Sequence, residues 1–175
     1  MLKFRTIEPE EVDTVCRADR EAFFASRFGT LNELDKLPSD RRDLWQSTND
    51  FREYCTQHPD RVIVADIDGR IMGFAIFVHN EAEQTGRVYS CAVLPEARGR
   101  HLGVALVKRL LEELRNRGAL RVTVSTTHVP QACRMYEKAG FLLTEKRTKK
   151  ASDGTPYDCS DYEIVFNKDP ATATA

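Results

Sequence analysis

The sequence contains neither a long apolar segment nor an excess of charge of one sign. Its 175 residues include 26 lysines and arginines against 27 aspartates and glutamates, a formal net charge of -1. This balance disfavours bulk nucleic acid or an anionic membrane as the main partner. No apolar run approaches the ~20 residues that span a bilayer, and the first residues, MLKFRTIEPEEVD, lack the basic and then apolar pattern of a secretion signal. We therefore expect a soluble, cytoplasmic protein that binds neither nucleic acid nor a membrane.

Cysteine and histidine patterns typical of metal sites or disulfide frameworks are also lacking. No cysteine pair forms a Cys-x-x-Cys or cysteine–histidine arrangement of the kind that binds zinc. The odd number and wide spacing of the cysteines are typical of reduced thiols inside a cell; they are Cys16, Cys55, Cys91, Cys133 and Cys159. The four histidines do not cluster in the sequence. We expect no metal and no disulfide.

What the chain does contain is enough apolar material for one core. Hydrophobic residues make up 41% and charged residues 30% of the sequence, as in an ordinary globular domain of this length. We predict a single domain over residues 1–167 and a flexible tail over 168–175, where the sequence ends in ATATA.

The predicted elements follow the order β-α-α-β-β-β-α-β-α-β-β. Apolar runs or alternation predict the strands, and apolar residues three and four apart predict the helices. In chain order, the predicted segments are Leu2–Ile7, Glu10–Phe24, Arg41–Gln57, Arg61–Asp66, Arg70–His79, Gly86–Leu94, Gly103–Arg117, Arg121–Thr127, Ala132–Ala139, Phe141–Thr148 and Asp161–Phe166. A break is predicted at Pro38-Ser39-Asp40, and turns at Ile67-Asp68-Gly69 and Ser152-Asp153-Gly154. Three consecutive central strands exclude a purely parallel sheet, so we predict an α/β (α+β) fold with a mixed sheet and helices on both faces.

The segment from Ala92 to Ala105, AVLPEARGRHLGVA, is the most informative. A buried strand ends near Pro95, and a turn rich in arginine and glycine opens into an amphipathic helix. The first turn of a helix leaves N–H groups unpaired and carries partial positive charge. Arg98 and Arg100 add two formal charges, while Gly99 lets the backbone approach a ligand. The pattern predicts a cradle for a phosphate or pyrophosphate, although a tight turn with solvated arginines explains this loop alone equally well.

A second segment, Ala132 to Phe141, reads ACRMYEKAGF. It predicts a short helix that carries Tyr136 and ends at Gly140. By itself this pattern is typical of an ordinary helix C-terminus with a core phenylalanine. Its position about thirty residues after the first loop is what makes the pair informative.

The two segments together resemble the GCN5-related N-acetyltransferase (GNAT) family. The cofactor loop of that family is written [QR]-x-x-G-x-[GA] after a strand that ends in Val-x-Pro, and here Arg98–Gly103 follows Val93–Pro95. The later family helix commonly reads A-x-x-x-Y-E-K-x-G-F, which Ala132–Phe141 matches. The element order fits the family over about residues 2–167, whereas the similarity of motifs is confined to Val88–Leu106 and the later helix.

This sequence departs from the family pattern at three places. His101 replaces the first usual glycine of the loop, so a side chain must fit at the helix N-terminus, where its imidazole can contact phosphate. Val129 stands where many members have an asparagine that contacts the pantetheine arm or nearby backbone. The third central strand, Arg87–Cys91, carries no glutamate, so the carboxylate base of some members is missing.

The resemblance implies acetyl transfer from acetyl-CoA to a primary amine by direct attack. Pantetheine would pair with the strand edge and the pyrophosphate with loop amides; the implied cofactor-binding residues are Cys91, Ala92, Val93, Arg98, Gly99, Arg100, His101, Leu102, Gly103 and Val104. The Val93 N–H would polarise the thioester carbonyl. Tyr136 would protonate the departing thiolate, since a phenol with a pKa near ~10 stays protonated at neutral pH.

Two other catalytic roles stay without an assigned residue. No general base is identified: Glu83 near the third central strand is typical of a surface carboxylate, and a water chain serves equally well. Cys91 is disfavoured as a nucleophile because it lies in mid-strand with no base nearby in the sequence.

The amine acceptor is expected to be a small metabolite, such as an amino sugar or an amino-acid derivative. It would bind at the region Glu10–Pro59 and the final hairpin. The aromatic side chains there either line an acceptor pocket or pack in the core, and the acidic ones either attract an amine or lie at the solvated surface. They are Glu21, Phe23, Phe24, Phe28, Asp35, Trp45 and Asp50. A protein or peptide amine as acceptor, a non-catalytic acyl-CoA sensor and a homodimer formed through an exposed sheet edge stay open as alternatives.

Overall fold

The computed structural model describes residues 1–28, 49–127, 129–150, 154 and 156–167. The strands are β1 (Leu2–Thr6), β2 (Val62–Ile67), β3 (Arg70–Asn80), β4 (Thr85–Val93), β5 (Arg121–Thr127), β6 (Leu142–Lys150) and β7 (Pro156–Val165). The described helices are α1 (Val12–Phe28), α2 (Asn49–Gln57), α3 (Leu102–Asn116) and α4 (Pro130–Ala139). The predicted element order is therefore confirmed.

The strands form one mixed sheet in the order β1-β2-β3-β4-β5-β7-β6. Strands β4 and β5 pair in parallel, with Gly86 opposite Val122, and α3 is the crossover that a parallel connection requires. The pairs β1–β2, β2–β3, β5–β7 and β6–β7 are antiparallel. The predicted mixed α/β class is confirmed.

The turn between β2 and β3 follows directly from local chemistry. Asp68 and Gly69 have φ values of 53° and 82°, the left-handed conformation that a two-residue hairpin turn needs and that Asp-Gly favours. The Asp66 carboxylate accepts a hydrogen bond from the Gly69 N–H at 2.7 Å. The predicted hairpin is confirmed.

Several boundaries differ from the prediction. Helix α1 begins at Val12, after a 3-10 turn over Pro9–Glu11, and continues to Phe28. Strand β7 begins at Pro156, five residues before its predicted start, because β6 pairs with its polar first residues; β5 pairs with it only from Cys159 onward. The break at Pro38-Ser39-Asp40, residues Ser152 and Asp153, and the tail over 168–175 lie outside the described residues.

Residues group into two compact units, of which the first comprises Met1–Ile76 and Ser90–Leu106. Its core lies between α1, α2 and the strands β2 and β3. Phe51 of α2 meets Phe74 of β3 edge to face, with ring centroids 6.0 Å apart. The buried core residues are Ile7, Val12, Val15, Cys16, Ala18, Phe51, Cys55, Val62, Val64, Ile71, Phe74, Ile76 and Leu94.

The second unit comprises Phe77–Tyr89 and Val107–Ala175. In this unit α3 packs closely on β4: a Cβ added to Gly86 would lie 2.6 Å from Leu114 Cδ1. At β6 and β7, Arg147 pairs with Asp161 at 2.6 Å. The prediction of a single domain over residues 1–167 stays a prediction.

Candidate functional site

The predicted cofactor residues form one continuous strand–turn–helix in the first unit. After β4 ends at Val93, the Leu94 N–H donates to the Met72 carbonyl at 3.0 Å. A 3-10 turn over Pro95–Ala97 follows, and α3 begins at Leu102. Cys91–Val93 thus forms the end of β4, and Arg98–Val104 forms the turn and the first residues of α3; their role in cofactor binding stays a prediction.

The loop presents a run of backbone N–H groups that have no acceptor in the described part of the chain. The Arg98 N–H donates to the Pro95 carbonyl at 3.2 Å, and the Ala105 N–H donates to the His101 carbonyl at 3.2 Å. Between these two bonds, the six N–H groups from Gly99 to Val104 have no described partner. Such a run at a helix N-terminus is suited to an anion. The Arg98 amide, predicted to share in this cradle, instead closes the preceding turn.

His101 is held in a conformation that favours glycine. Its φ is 57° and that of Gly99 is 78°, both in the left-handed region where a Cβ costs energy. This geometry gives a physical reason for the glycine that the family usually has at the position of His101. The imidazole is exposed, so a side chain is accommodated there by pointing away from the core.

The Arg98 side chain does not point freely toward solvent. Its Nε donates to the Val93 carbonyl at 3.1 Å, and its Nη2 donates to the Ala22 carbonyl of α1 at 2.8 Å. The guanidinium therefore ties α1 to the end of β4. Arg100, by contrast, is exposed and makes no ion pair with a described residue; of the two loop arginines, it is the one whose charge stays available to an anion.

The C-terminal end of β4 is half-buried over Cys91–Val93. Burial raises the pKa of the Cys91 thiol to about 12, so the thiol stays protonated near neutral pH and is a poor nucleophile. A Cβ added to Gly73 would lie 2.9 Å from the Ala92 carbonyl oxygen. Gly73 therefore permits a close approach of β3 to this segment.

In the second unit, Tyr136 lies on α4 and is buried. Its ring contacts Phe141 edge to face, at 5.7 Å between centroids, and Tyr162 at 6.2 Å. Gly140, with a φ of 104°, ends the helix, and the Phe141 N–H donates to the Tyr136 carbonyl at 3.1 Å. The predicted C-cap is confirmed. The assignment of Tyr136 as the proton donor stays a prediction.

Val129 and Glu83 give no sign of a polar role. Val129 is 43% exposed and stands at the N-terminus of α4 without a side-chain cap. Glu83 is exposed in the turn before β4, where its N–H donates to Asn80 Oδ1 at 3.2 Å. Glu83 therefore has the surroundings of a surface carboxylate.

The final hairpin, predicted to contact the acceptor, carries an open depression of about 320 Å³. It is lined by Lys146, Arg147, Thr148, Asp158 and Cys159. In the other predicted acceptor region, Glu21 is half-buried, whereas Asp35, Trp45 and the side chains of Phe23, Phe24, Phe28 and Asp50 lie outside the description.

One carboxylate beside β4 was not predicted from the sequence as a site residue. Asp19 of α1 accepts a hydrogen bond from Ser90 Oγ at 3.4 Å, and burial raises its pKa to about 6. Residues three and four positions away, Val15, Cys16 and Ala22, are all buried. The sequence signal was therefore present, because an acidic residue lay on the apolar face of an amphipathic helix.

Neither a metal-binding cluster nor a membrane-spanning helix occurs among the described residues. No group of three or more potential metal-ligating side chains occurs among them. Nor is any helix in that part of the chain long and apolar enough to cross a membrane.

Comparisons with known proteins agree with this geometry. The family model "Acetyltransferase (GNAT) family" matches residues 27–141, well over half of the chain. An L-2,4-diaminobutyric acid acetyltransferase of Nocardia farcinica is 34% identical over 130 residues, covering 70% of this chain and 67% of that protein. A mycothiol acetyltransferase of Streptomyces griseus is 31% identical over 147 residues, which are 81% of this chain but only 43% of that protein.

Among solved structures, yncA from Salmonella typhimurium, a putative acetyltransferase with its cofactor acetyl-CoA, superposes with a TM-score of 0.72. The alignment covers 99% of both chains at 16% identity, which shows the shared fold. With the family match spanning the loop from Arg98 to Val104, the chain belongs to the acetyltransferase (GNAT) family and is an acetyl-CoA-dependent N-acetyltransferase.

Proposed function

We propose that this enzyme acetylates the primary amine of a small metabolite of the amino-acid or amino-sugar type, with Gly99–Val104 binding the cofactor and Arg98 holding the loop in place. The observation that carries the cofactor assignment is the run of N–H groups from Gly99 to Val104 without a described acceptor. A diphosphate offers several anionic oxygens to such a run, and the helix N-terminus adds favourable partial charge. Arg100 supplies a formal charge that no described carboxylate neutralises.

The chemistry requires an activated carbonyl and a protonated leaving group. In this proposal pantetheine lies along Cys91–Val93 as an added strand, and the Val93 N–H donates to the thioester oxygen as it becomes anionic. The amine attacks directly, because the pKa of the half-buried Cys91 thiol is raised to about 12 and the thiol is not ionised near neutral pH. Tyr136 protonates the sulfur that leaves.

The small size of the acceptor is supported by the relatives. The names of two of them, L-2,4-diaminobutyric acid acetyltransferase and mycothiol acetyltransferase, denote small molecules as acceptors. The formal net charge of -1 also gives no reason to expect a highly charged polymer as substrate. We therefore place an amino-acid-like amine first and a peptide amine second.

The experiment has a binding arm and a transfer arm. Calorimetry with acetyl-CoA tests the cradle, and the release of free thiol measures transfer to a panel that contains diaminobutyrate, glucosamine and a peptide with a free amino terminus. We expect micromolar acetyl-CoA binding and faster thiol release with the small amines. Absence of binding heat at millimolar acetyl-CoA would overturn the cradle. Binding without transfer to any amine would instead favour the acyl-CoA sensor, and faster transfer to the peptide would overturn the acceptor class.

A further inference from the structure

The environment of Asp19 is unusual for a carboxylate. It lies on α1 among residues that form the core of the first unit, with Val15, Cys16 and Ala22 each no more than 3% exposed. A carboxylate on such a face normally has a cationic partner. No ion pair joins Asp19 to a lysine or arginine in the described ranges, and its carboxylate accepts a hydrogen bond there from Ser90 Oγ at 3.4 Å.

The position of Asp19 relative to β4 is defined by two contacts. Ser90 immediately precedes Cys91, the first of the residues proposed to lie beside pantetheine. Three residues further along each element, Arg98 joins the Ala22 carbonyl to the Val93 carbonyl. Asp19 therefore lies beside the C-terminal residues of β4, directly before the loop, and not beside a distant part of the sheet.

We propose that Asp19 is the general base of the reaction, and that its carboxylate contacts the ammonium group of the acceptor and takes a proton from it. This inference rests on the proposed function and fills the one role that the sequence left without a residue. The carboxylate base of some family members stands on the third central strand. Here a carboxylate reaches that strand from α1 instead.

The acetyl transfer is balanced in protons and electrons without any further reactant. Asp19 takes one proton from R-NH3⁺, and the lone pair on nitrogen forms the C–N bond to the thioester carbon. Collapse of the tetrahedral adduct breaks the C–S bond, and sulfur leaves with that electron pair. Nitrogen loses its second proton to the phenolate of Tyr136, which has protonated the sulfur. Asp19 returns its proton to solvent, so each turnover releases one proton.

The groups around Asp19 allow it to titrate in the useful range. Burial raises its pKa to about 6, while Ser90 and the neighbouring Arg20 oppose that shift. From α2, Cys55 faces the same region, and its thiol has a pKa raised to about 12. Cys55 therefore stays neutral when Asp19 changes charge. A carboxylate with a pKa near 6 is a stronger base than an exposed aspartate, yet it is ionised at neutral pH.

The test compares Asp19→Asn with wild type across pH 5–9, with kcat/KM measured by thiol release. We expect the wild-type value to rise through about pH 6 and then level off. In Asp19→Asn it should fall about 10²-fold at pH 7. The variant's rate should then climb about tenfold per pH unit, because only amine that is already deprotonated reacts. Acetyl-CoA affinity should stay within about twofold, since Asp19 does not contact the cradle.

Three controls separate this role from a structural one. Asp13→Asn removes an exposed carboxylate from the same helix, one that pairs with Arg52, and should leave the pH profile unchanged. Asp19→Glu keeps a carboxylate and should restore part of the pH-independent rate. Thermal unfolding of Asp19→Asn checks that the variant is folded.

Each alternative outcome has one meaning. A wild-type pH profile in Asp19→Asn would overturn Asp19 as the base while the proposed function stands. A change in the amine KM alone, with the shape of the profile kept, would also overturn it, since a carboxylate that only binds the amine gives that result. If wild type transfers acetyl to no amine, the proposed function itself fails, independently of Asp19.

Discussion

Arg98 and Ala22 are 76 residues apart in the sequence, yet the Arg98 guanidinium donates to the Ala22 carbonyl at 2.8 Å. The same side chain also donates to the Val93 carbonyl at 3.1 Å. A residue that the cofactor-loop motif requires thus also holds α1 against the end of β4. Loss of these two hydrogen bonds should lower the stability of the first unit as well as disturb the loop.

We expect Arg98→Ala to lower the free energy of unfolding by about 2 kcal/mol, because hydrogen bonds from a charged group contribute about 1.5–3 kcal/mol. Urea denaturation measures the change. Arg100→Ala is the matched control: it removes an arginine two positions away that is exposed, and it should change stability by less than about 0.5 kcal/mol. Equal effects of the two substitutions on the free energy of unfolding would show that the Arg98 hydrogen bonds to Val93 and Ala22 do not stabilise the fold.

Two glycines with positive φ, one in the cofactor loop and one in the turn between β2 and β3, allow a matched test of the cradle. Gly99 (φ 78°) and Gly69 (φ 82°) are both in open space, where an added Cβ meets nothing within 4 Å. Alanine at either position should cost about 1–2 kcal/mol of backbone strain. Only Gly99→Ala should also weaken acetyl-CoA binding, by about tenfold, because its loop must shift where the diphosphate approaches. Calorimetry on the two variants checks this, and equal dissociation constants would rule against a cradle at Gly99.

Much of the fold could be predicted from local chemistry alone. The Asp68-Gly69 turn and the helix end at Gly140 follow from backbone conformations that few residues tolerate. The early start of β7 at Pro156 could not be predicted, because the polar segment PYDCSD is held in the sheet by pairing with β6, and β5 pairs with it only from Cys159 onward. The register that pairs Cys159 with Arg147 on one side and Thr127 on the other is a property of the sheet, and no local pattern carries it.

The candidate site also has features that local sequence predicts and features that depend on tertiary packing. The motif over Arg98–Gly103 predicted the strand–turn–helix, and the φ of 57° at His101 gives the physical reason why the family usually has a glycine there. The motif did not predict that Arg98 donates to Ala22, since this contact depends on how α1 packs. Asp19 was missed because the sequence shows that a carboxylate lies on an apolar helix face but not how deeply it is buried or what opposes it.

Asp19 should lower the stability of the folded protein at neutral and alkaline pH. Its folded-state pKa is about 6, above the ~3.9 of an unfolded chain, so the folded state binds the proton more tightly. The stabilising contribution is full below pH ~4 and is lost as the pH rises through about 6. We therefore expect Asp19→Asn to be more stable than wild type at pH 8, by about 2–3 kcal/mol, and the two to converge near pH 4.

Urea unfolding at pH 4, 6 and 8 tests this expectation, and Asp66→Asn supplies a control of opposite sign. Hydrogen bonds from Arg5 hold the pKa of Asp66 below its usual value, so the stability from its ionised form is present at neutral pH and is lost as the pH falls. Asp66→Asn should therefore be less stable than wild type at pH 8. A difference between Asp19→Asn and wild type that did not change with pH would show that the Asp19 pKa is not raised.

Tyr136→Phe should separate the catalytic role of the phenol from its role in packing. The ring contacts with Phe141 and Tyr162 survive the change, so unfolding should shift by less than about 1 kcal/mol. Thiol release should slow by about 10²-fold or more, because the sulfur then leaves without a positioned donor. Tyr162→Phe is the control, since the Tyr162 hydroxyl donates to Glu137 Oε1 at 3.2 Å and has no assigned step. If Tyr136→Phe retains the wild-type rate, the proton must reach the thiolate from solvent, and the aromatic ring at position 136 has only a packing role at the end of α4.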